Sequence, residues 1–254
     1  MIIIDKREKR DQREKEIIEV AIRMLAETGF LDMRMADLAR ATGYSMGTIY
    51  SHFDSKEDLI VACAYTLCLD EQWLFTEISV QKIPDIEKII TMAQCSWLIS
   101  MQHPQLIEID NLSLMPTIWR RATQHRAERL NQLHVELAGT LVAIVLNTIE
   151  NGIHGHSELD AEERQHLATH LTHGLWGLCV GMTSTAQSGY ARTLCPTDQD
   201  KTYAHFTTNY TNFLKGYGWR EQNPGAVFER CLNIAKLCLD QTRWFSLSDT
   251  ESSQ

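Results

Sequence analysis

The sequence predicts an all-α chain of about ten helices, and three observations carry that expectation. Apolar residues recur at helical spacing through Ile17, Ile18, Ala21, Ile22, Leu25 and Ala26, and almost no stretch alternates with the period of two that a half-buried strand needs. Only five prolines occur, and Pro84, Pro104, Pro116 and Pro224 each stand at the head of an amphipathic run, where a helix tolerates them. Glycine or asparagine falls where those runs end, as a left-handed terminal residue requires.

Taken in order, the first helix ends at Gly29. A short helix carrying Leu38, Ala39 and Ala41 stops at Gly43, and Ser45 caps a second short helix that turns Ile49 inward. A long helical segment is expected from Thr117 to Asn151, halted by Asn151-Gly152. After a polar loop, Asp160 caps a helix running to about Ser188-Gly189, and another spans roughly Asp198 to Lys215, ended by Gly216 and Gly218. A last helix follows Pro224 as far as Trp244, and Ser246 to Gln254 reads as a disordered tail.

At 254 residues and 44% hydrophobic, the chain has enough apolar material for one large domain or two smaller ones. Its net charge of −9, with ten Lys and Arg against twelve Asp and Glu in the first sixty residues, gives no globally basic domain. Locally the balance reverses, because Lys6, Arg7, Lys9, Arg10, Arg13 and Lys15 outnumber Glu8, Asp11 and Glu14. That arm reads either as a solvated helix of mixed charge or as a phosphate-seeking one. Met1 to Ile4 is too short for a signal-peptide core, and the longest apolar run, Leu137 to Leu146, falls short of the ~20 residues of a membrane span. A cytoplasmic protein without a membrane partner is expected. The seven cysteines form no C-x-x-C pair and read as reduced thiols. With no G-x-S-x-G, phosphate loop or H-E-x-x-H present, neither an enzyme nor a cofactor is expected.

Residues 38 to 53 hold the sharpest signal. Two short helices can cross a tight turn if the first offers a small residue, the turn accepts positive φ and the second returns an apolar side chain to the core. Ala39, Gly43 and Ile49 supply these at offsets of four and six, the spacing of a DNA-binding helix-turn-helix. With Ile49 inward, Ser45, Met46, Gly47, Thr48, Ser51 and His52 lie on or near the opposite side. Such short polar groups suit a major groove, with Tyr50 and His52 reaching phosphates.

The run MADLARATGYSMGTIYSHFDSKEDL, Met35 to Leu59, resembles the N-terminal module of TetR-type transcriptional regulators, and the preceding helix IIEVAIRMLAETGF fits the same pattern. The resemblance covers about the first quarter of the chain. It implies DNA contacts from Arg34 and Ala36, from the recognition helix Ser45 to His52, and from Lys56. Ala36 and Met46 depart from the basic or polar residues frequent at those positions. The domains implied are a three-helix DNA-binding module over 1–55 and a helical regulatory, ligand-binding and dimerisation domain over 56–245, with the tail 246–254.

One recognition helix reads only a few base pairs, so a homodimer is expected, and the resemblance implies that its last helices pair across the two-fold axis. Gly174, Gly177 and Gly181, beside Leu171, Leu175, Leu178 and Met182, offer one small-residue strip for that pairing. The resemblance also implies an effector pocket, for which Trp73, Trp97, Met101, His103, Met115 and Trp119 are candidates, though core packing explains such residues as readily. The expected function is a repressor released from its operator by a small molecule. A competing reading uses His166, His170 and His173, at i, i+4 and i+7, as metal ligands of a metal-responsive regulator or a helical metal-dependent enzyme.

Overall fold

The computed structural model describes residues 6–151, 158–188, 193 and 199–245, and it contains eleven helices among them. They are α1 (Lys6–Asp32), α2 (Met35–Thr42), α3 (Met46–His52), α4 (Lys56–Ser79), α5 (Asp85–Gln102), α6 (Pro104–Ser113), α7 (Pro116–Trp119), α8 (Gln124–Asn151), α9 (Ala161–Gln187), α10 (Gln199–Gly216) and α11 (Pro224–Leu239). The expected tail and the loop residues Gly152, His154 and His156 lie outside the described residues.

Backbone contacts divide the chain into two compact units. The first comprises 1–71 with 103–134, and the second 72–102 with 135–254. The division does not fall at residue 55: α6, α7 and the first turns of α8 belong with the N-terminal helices, and α4 and α8 each contribute to both units.

In the first unit, α1 buries Ile17, Ile18, Ala21, Ile22 and Leu25 while its first turns stay in water. It packs on α2 and α6. Gly29 breaks the helical geometry at φ 73, ψ 170, where the first helix was expected to end. Gly43, at φ 73, closes α2 by donating its N–H to the Arg40 carbonyl, and the Ser45 side chain then accepts the Thr48 N–H at 3.1 Å to start α3. Ile49 and Phe53 are fully buried beneath that turn. The start of α4 is apolar on nearly every side, with Leu59, Ile60, Val61, Ala62, Cys63 and Ala64 all buried, as a helix through the middle of a core must be.

The long helix expected from Thr117 is two helices. Thr123 donates both its N–H and its hydroxyl to Asp58 Oδ1, each at 2.8 Å. That pulls the chain out of helical register between α7 and α8. By length and composition alone α8 is apolar enough to cross a membrane, a test that core helices also pass. Its first two turns are tied instead to protein partners, through Arg126 and through Arg129 lying 4.2 Å from the Tyr65 ring centroid.

In the second unit, α5 packs on α9 and α11. Trp97 stacks on Phe206 at 4.7 Å and lies 6.0 Å from Tyr203, so this effector candidate serves as core. Asp160 and Glu163 form the reciprocal cap that begins α9. The glycine strip of α9 is not one surface. A Cβ on Gly174 would stand 2.6 Å from Phe213 Cζ of α10, whereas nothing lies within 4 Å at Gly177 and Gly181. Gly174 and the buried Leu171 are therefore consumed by packing within the chain. The six described cysteines are buried and form no disulfide.

Two half-buried carboxyls in the first unit carry an electrostatic cost. Burial, and then the neighbouring Asp110 carboxylate, pushes the Glu71 carboxyl up to about 8, and burial raises Asp110 to about 6. A carboxyl whose folded pKa is raised keeps its proton where the unfolded chain has released it. Its stabilising effect is complete below the ordinary carboxylate range and fades as pH rises through the folded value. Replacement by an uncharged isostere, Glu71→Gln, is expected to raise the melting temperature relative to the parent by an increment that grows from about pH 5 to about pH 8. An increment constant across that window, read by calorimetry, would contradict the assignment.

Candidate nucleic-acid interface

The exposed surface of α2 and α3 is built from short side chains on a rigid turn. Arg34, at the N-cap of α2, and Ala36 are exposed, as are Ser45, Met46, Gly47, Tyr50 and Ser51, with Thr48 partly so. The hydroxyls are satisfied locally: Ser45 Oγ and Thr48 Oγ1 lie 2.9 Å apart, and Ser51 Oγ donates to the Thr48 carbonyl at 2.7 Å. They would exchange these weak internal bonds for base edges at modest cost. Eight of the ten residues expected to contact DNA are thus exposed or partly so.

His52 and Lys56 are not. His52 is buried, with Nδ1 3.2 Å from Glu14 Oε2 of α1. Lys56 bonds the Phe30 carbonyl through Nζ, which lies 4.3 Å from the Phe30 ring centroid, and burial pushes its pKa down. Both side chains are spent holding α1 against the ends of α3 and α4, so neither is displayed to a phosphate here. Arg40, exposed beside its ion-pair partner Asp37, is a cation on this side of α2 that residue patterns did not single out.

Beneath the face lies a charge cluster. Arg126 Nε donates to Asp58 Oδ2 at 3.2 Å, while its Nη2 donates to Glu14 Oε1 and to the His52 carbonyl, each at 2.9 Å. The same guanidinium sits 4.7 Å from the Phe53 ring centroid. Asp58, 1% exposed, also accepts the two Thr123 bonds and the Asp54 N–H at 3.3 Å. From α1, Arg10 donates to the Ser51 carbonyl at 3.2 Å. The last two carbonyls of the recognition helix are therefore both capped by arginines, a favourable use of cations at a helix C-terminus. Sequence spacing signalled the Ser55–Asp58 cap, whose Asp58 N–H to Ser55 Oγ bond is 3.0 Å, but not the partner at Arg126, 68 positions away.

The other candidates are distributed over both units. Trp73 belongs to the second unit and His103, Met115 and Trp119 to the first. The groove of about 550 Å³ in the second unit lies between α10 and α11, lined by residues such as Tyr203, Thr211, Lys215 and Phe228 and by none of the expected effector residues. His170 faces the Tyr217 ring and His173 stacks on Trp176, and among the described residues no three His, Cys, Asp or Glu side chains are grouped so as to hold a metal.

These placements separate two tyrosine and histidine roles that spacing alone would equate. Tyr50→Ala is expected to weaken binding to all duplexes alike and to flatten the salt dependence by about 0.9 in log–log slope for each phosphate lost. His52→Ala is expected to lower the melting temperature instead, by depriving the partly buried Glu14 of a partner. Salt-titrated binding and thermal unfolding check both. A His52→Ala variant that melts normally while losing the same slope would place the imidazole on DNA.

Comparison with known proteins agrees with this geometry. Residues 17–63 match the family described as "Bacterial regulatory proteins, tetR family". The fatty acid metabolism regulator protein of Bacillus subtilis (strain 168) is 24% identical over 139 residues, covering 54% of this chain and 68% of that protein. The solved FadR regulator of Bacillus subtilis, in complex with stearoyl-CoA, superposes with a TM-score of 0.53 at 17% identity over 80% of this chain and 98% of that one. A TetR-family transcriptional regulator from Pectobacterium atrosepticum gives 0.57 at 15% identity, over 86% and 100%. Residues 17–63 are thus similar to the N-terminal segment of tetR-family regulatory proteins, and the chain shares the all-helical fold of solved regulators of that family.

Proposed function

We propose that this protein is a cytoplasmic, homodimeric repressor that leaves its operator when it binds a small, largely apolar effector. The observation that carries the DNA half is the exposed, short-chained face of α3 on a rigidly capped turn within the matched segment 17–63. The effector half is supported by two of the relatives. A relative is named for fatty acid metabolism and a structural neighbour of similar fold holds stearoyl-CoA, which makes long-chain acyl-CoA thioesters the first class to try.

Selection of bound fragments from genomic DNA identifies the operator. Titration of stearoyl-CoA into the protein, free and bound to that fragment, then tests release. An effector that drives dissociation must bind the DNA-incompetent state more tightly, and by reciprocity the operator weakens its binding by the same factor. Equal affinity for free and DNA-bound protein would exclude stearoyl-CoA as an inducer.

For the dimer, the open part of the α9 strip supports an interface at Gly177 and Gly181, flanked by the half-exposed Trp176 and Leu178. Leu171 and Gly174 drop out of it. A Cβ at Gly177 meets nothing within 4 Å, whereas a leucine side chain there would hold a partner helix away. Gly177→Leu is expected to fold, to sediment as a monomer and to lose operator binding. A folded Gly177→Leu dimer would remove this strip from the interface.

A further inference from the structure

The family match begins at Ile17, yet α1 begins eleven residues earlier, at Lys6. No residue from Lys6 to Glu16 is buried. A helical extension with no buried residue gains little from apolar packing, so its polar and charged surface is what distinguishes it.

That chemistry is sorted by face. At 3.6 residues per turn, Arg10, Lys6, Arg13 and Lys9 fall, in that angular order, within a sector of about 100°. Two contacts fix where the sector lies. On one edge Arg10 donates to the Ser51 carbonyl at the end of the recognition helix, at 3.2 Å. On the other, Glu16 accepts the hydroxyl of Tyr44, from the turn that precedes that helix, at 2.7 Å. The sector between these edges is basic throughout, whereas the opposite side mixes Arg7 and Lys15 with Glu8, Asp11 and Gln12. Going from Glu16 to Arg10, α1 passes from the start of α3 to its end, and Lys6 lies about 6 Å further on by helical rise.

Resting on the DNA-binding reading above, we propose that residues 6–16 are a second DNA-contacting element, in which Lys6, Lys9 and Arg13 grip backbone phosphates flanking the half-site read by α3. The partner chemistry is the duplex phosphate backbone, recognised without regard to sequence. The extension answers an electrostatic problem, because a chain of net charge −9 must gather its cations beside the recognition helix to approach DNA.

The test leaves Arg10 untouched, since it caps α3. Full-length protein carrying Lys6→Gln, Lys9→Gln and Arg13→Gln is compared with a control carrying Arg7→Gln and Lys15→Gln on the opposite side. Binding is measured against salt on the selected genomic fragment and on a nonspecific duplex, with circular dichroism to verify folding. The triple variant is expected to lower the log–log salt slope by up to about 3 per DNA-binding head, on both duplexes, with the control changing it far less. An unchanged slope, or an equal fall in the control, overturns the inference while leaving the regulator reading intact. If the parent protein binds no duplex, the regulator reading falls first and this inference with it.

Discussion

The contact on which the N-terminal unit depends is the one between Asp58 and Arg126. Asp58 is almost wholly removed from water, and an isolated carboxylate there would be strongly unfavourable, so its partners are obligatory. It has them: the Arg126 guanidinium, both donors of Thr123 and the Asp54 N–H. Because those donors come from different elements, satisfying one charge fixes the start of α4, the break before α8 and, through the remaining nitrogen of Arg126, the end of α3. A buried pair of this kind adds less to stability than its contact list suggests, since desolvation offsets much of the attraction. What it adds is definition, because an apolar contact could slide whereas a forked guanidinium on three acceptors cannot.

A recognition helix of seven residues needs that definition. So short a helix is unstable by itself, and its orientation comes from whatever holds its ends. Ser45 fixes the start, Ile49 and Phe53 anchor the inner face, and Arg10 and Arg126 take the final carbonyls. The exposed face is thereby freed from any packing duty and can consist of small polar groups. That division of labour explains the composition of residues 45 to 52 better than helix propensity does.

How much of this was legible in the sequence follows from range. The turn at Gly43, the cap at Ser45 and the inward Ile49 depend on neighbours within a few positions, so spacing alone places them. His52 and Lys56 carry the same charge-bearing chemistry as phosphate ligands. Their inward direction is decided by Glu14 and by the Phe30 carbonyl, 38 and 26 positions away. The continuous helix expected from Thr117 fails for a similar reason, because a distant carboxylate captures Thr123. On α9 the glycine spacing is real, yet whether a glycine admits a partner helix or its own chain depends on Phe213 in α10, which no pattern within α9 reveals. Trp97 is the same case in aromatic form, a large side chain whose stacking partners arrive from a helix over a hundred residues later.

The charge distribution ties these points together. Most cations near the turn are already engaged: Arg126 under it, Lys56 against α1, Arg10 on α3 and Arg40 with Asp37. Those contacts make the face rigid, but they leave α2 and α3 with few cations for a polyanion. Phosphate attraction falls off within about a Debye length of ~8–10 Å, so a distant positive patch would not compensate. Compensating cations must sit beside α3, and among the described residues the start of α1 is a segment rich in exposed lysine and arginine that contacts that helix. On the proposed reading, a head that spends its central arginines on internal geometry leaves its peripheral ones to carry the long-range attraction to DNA.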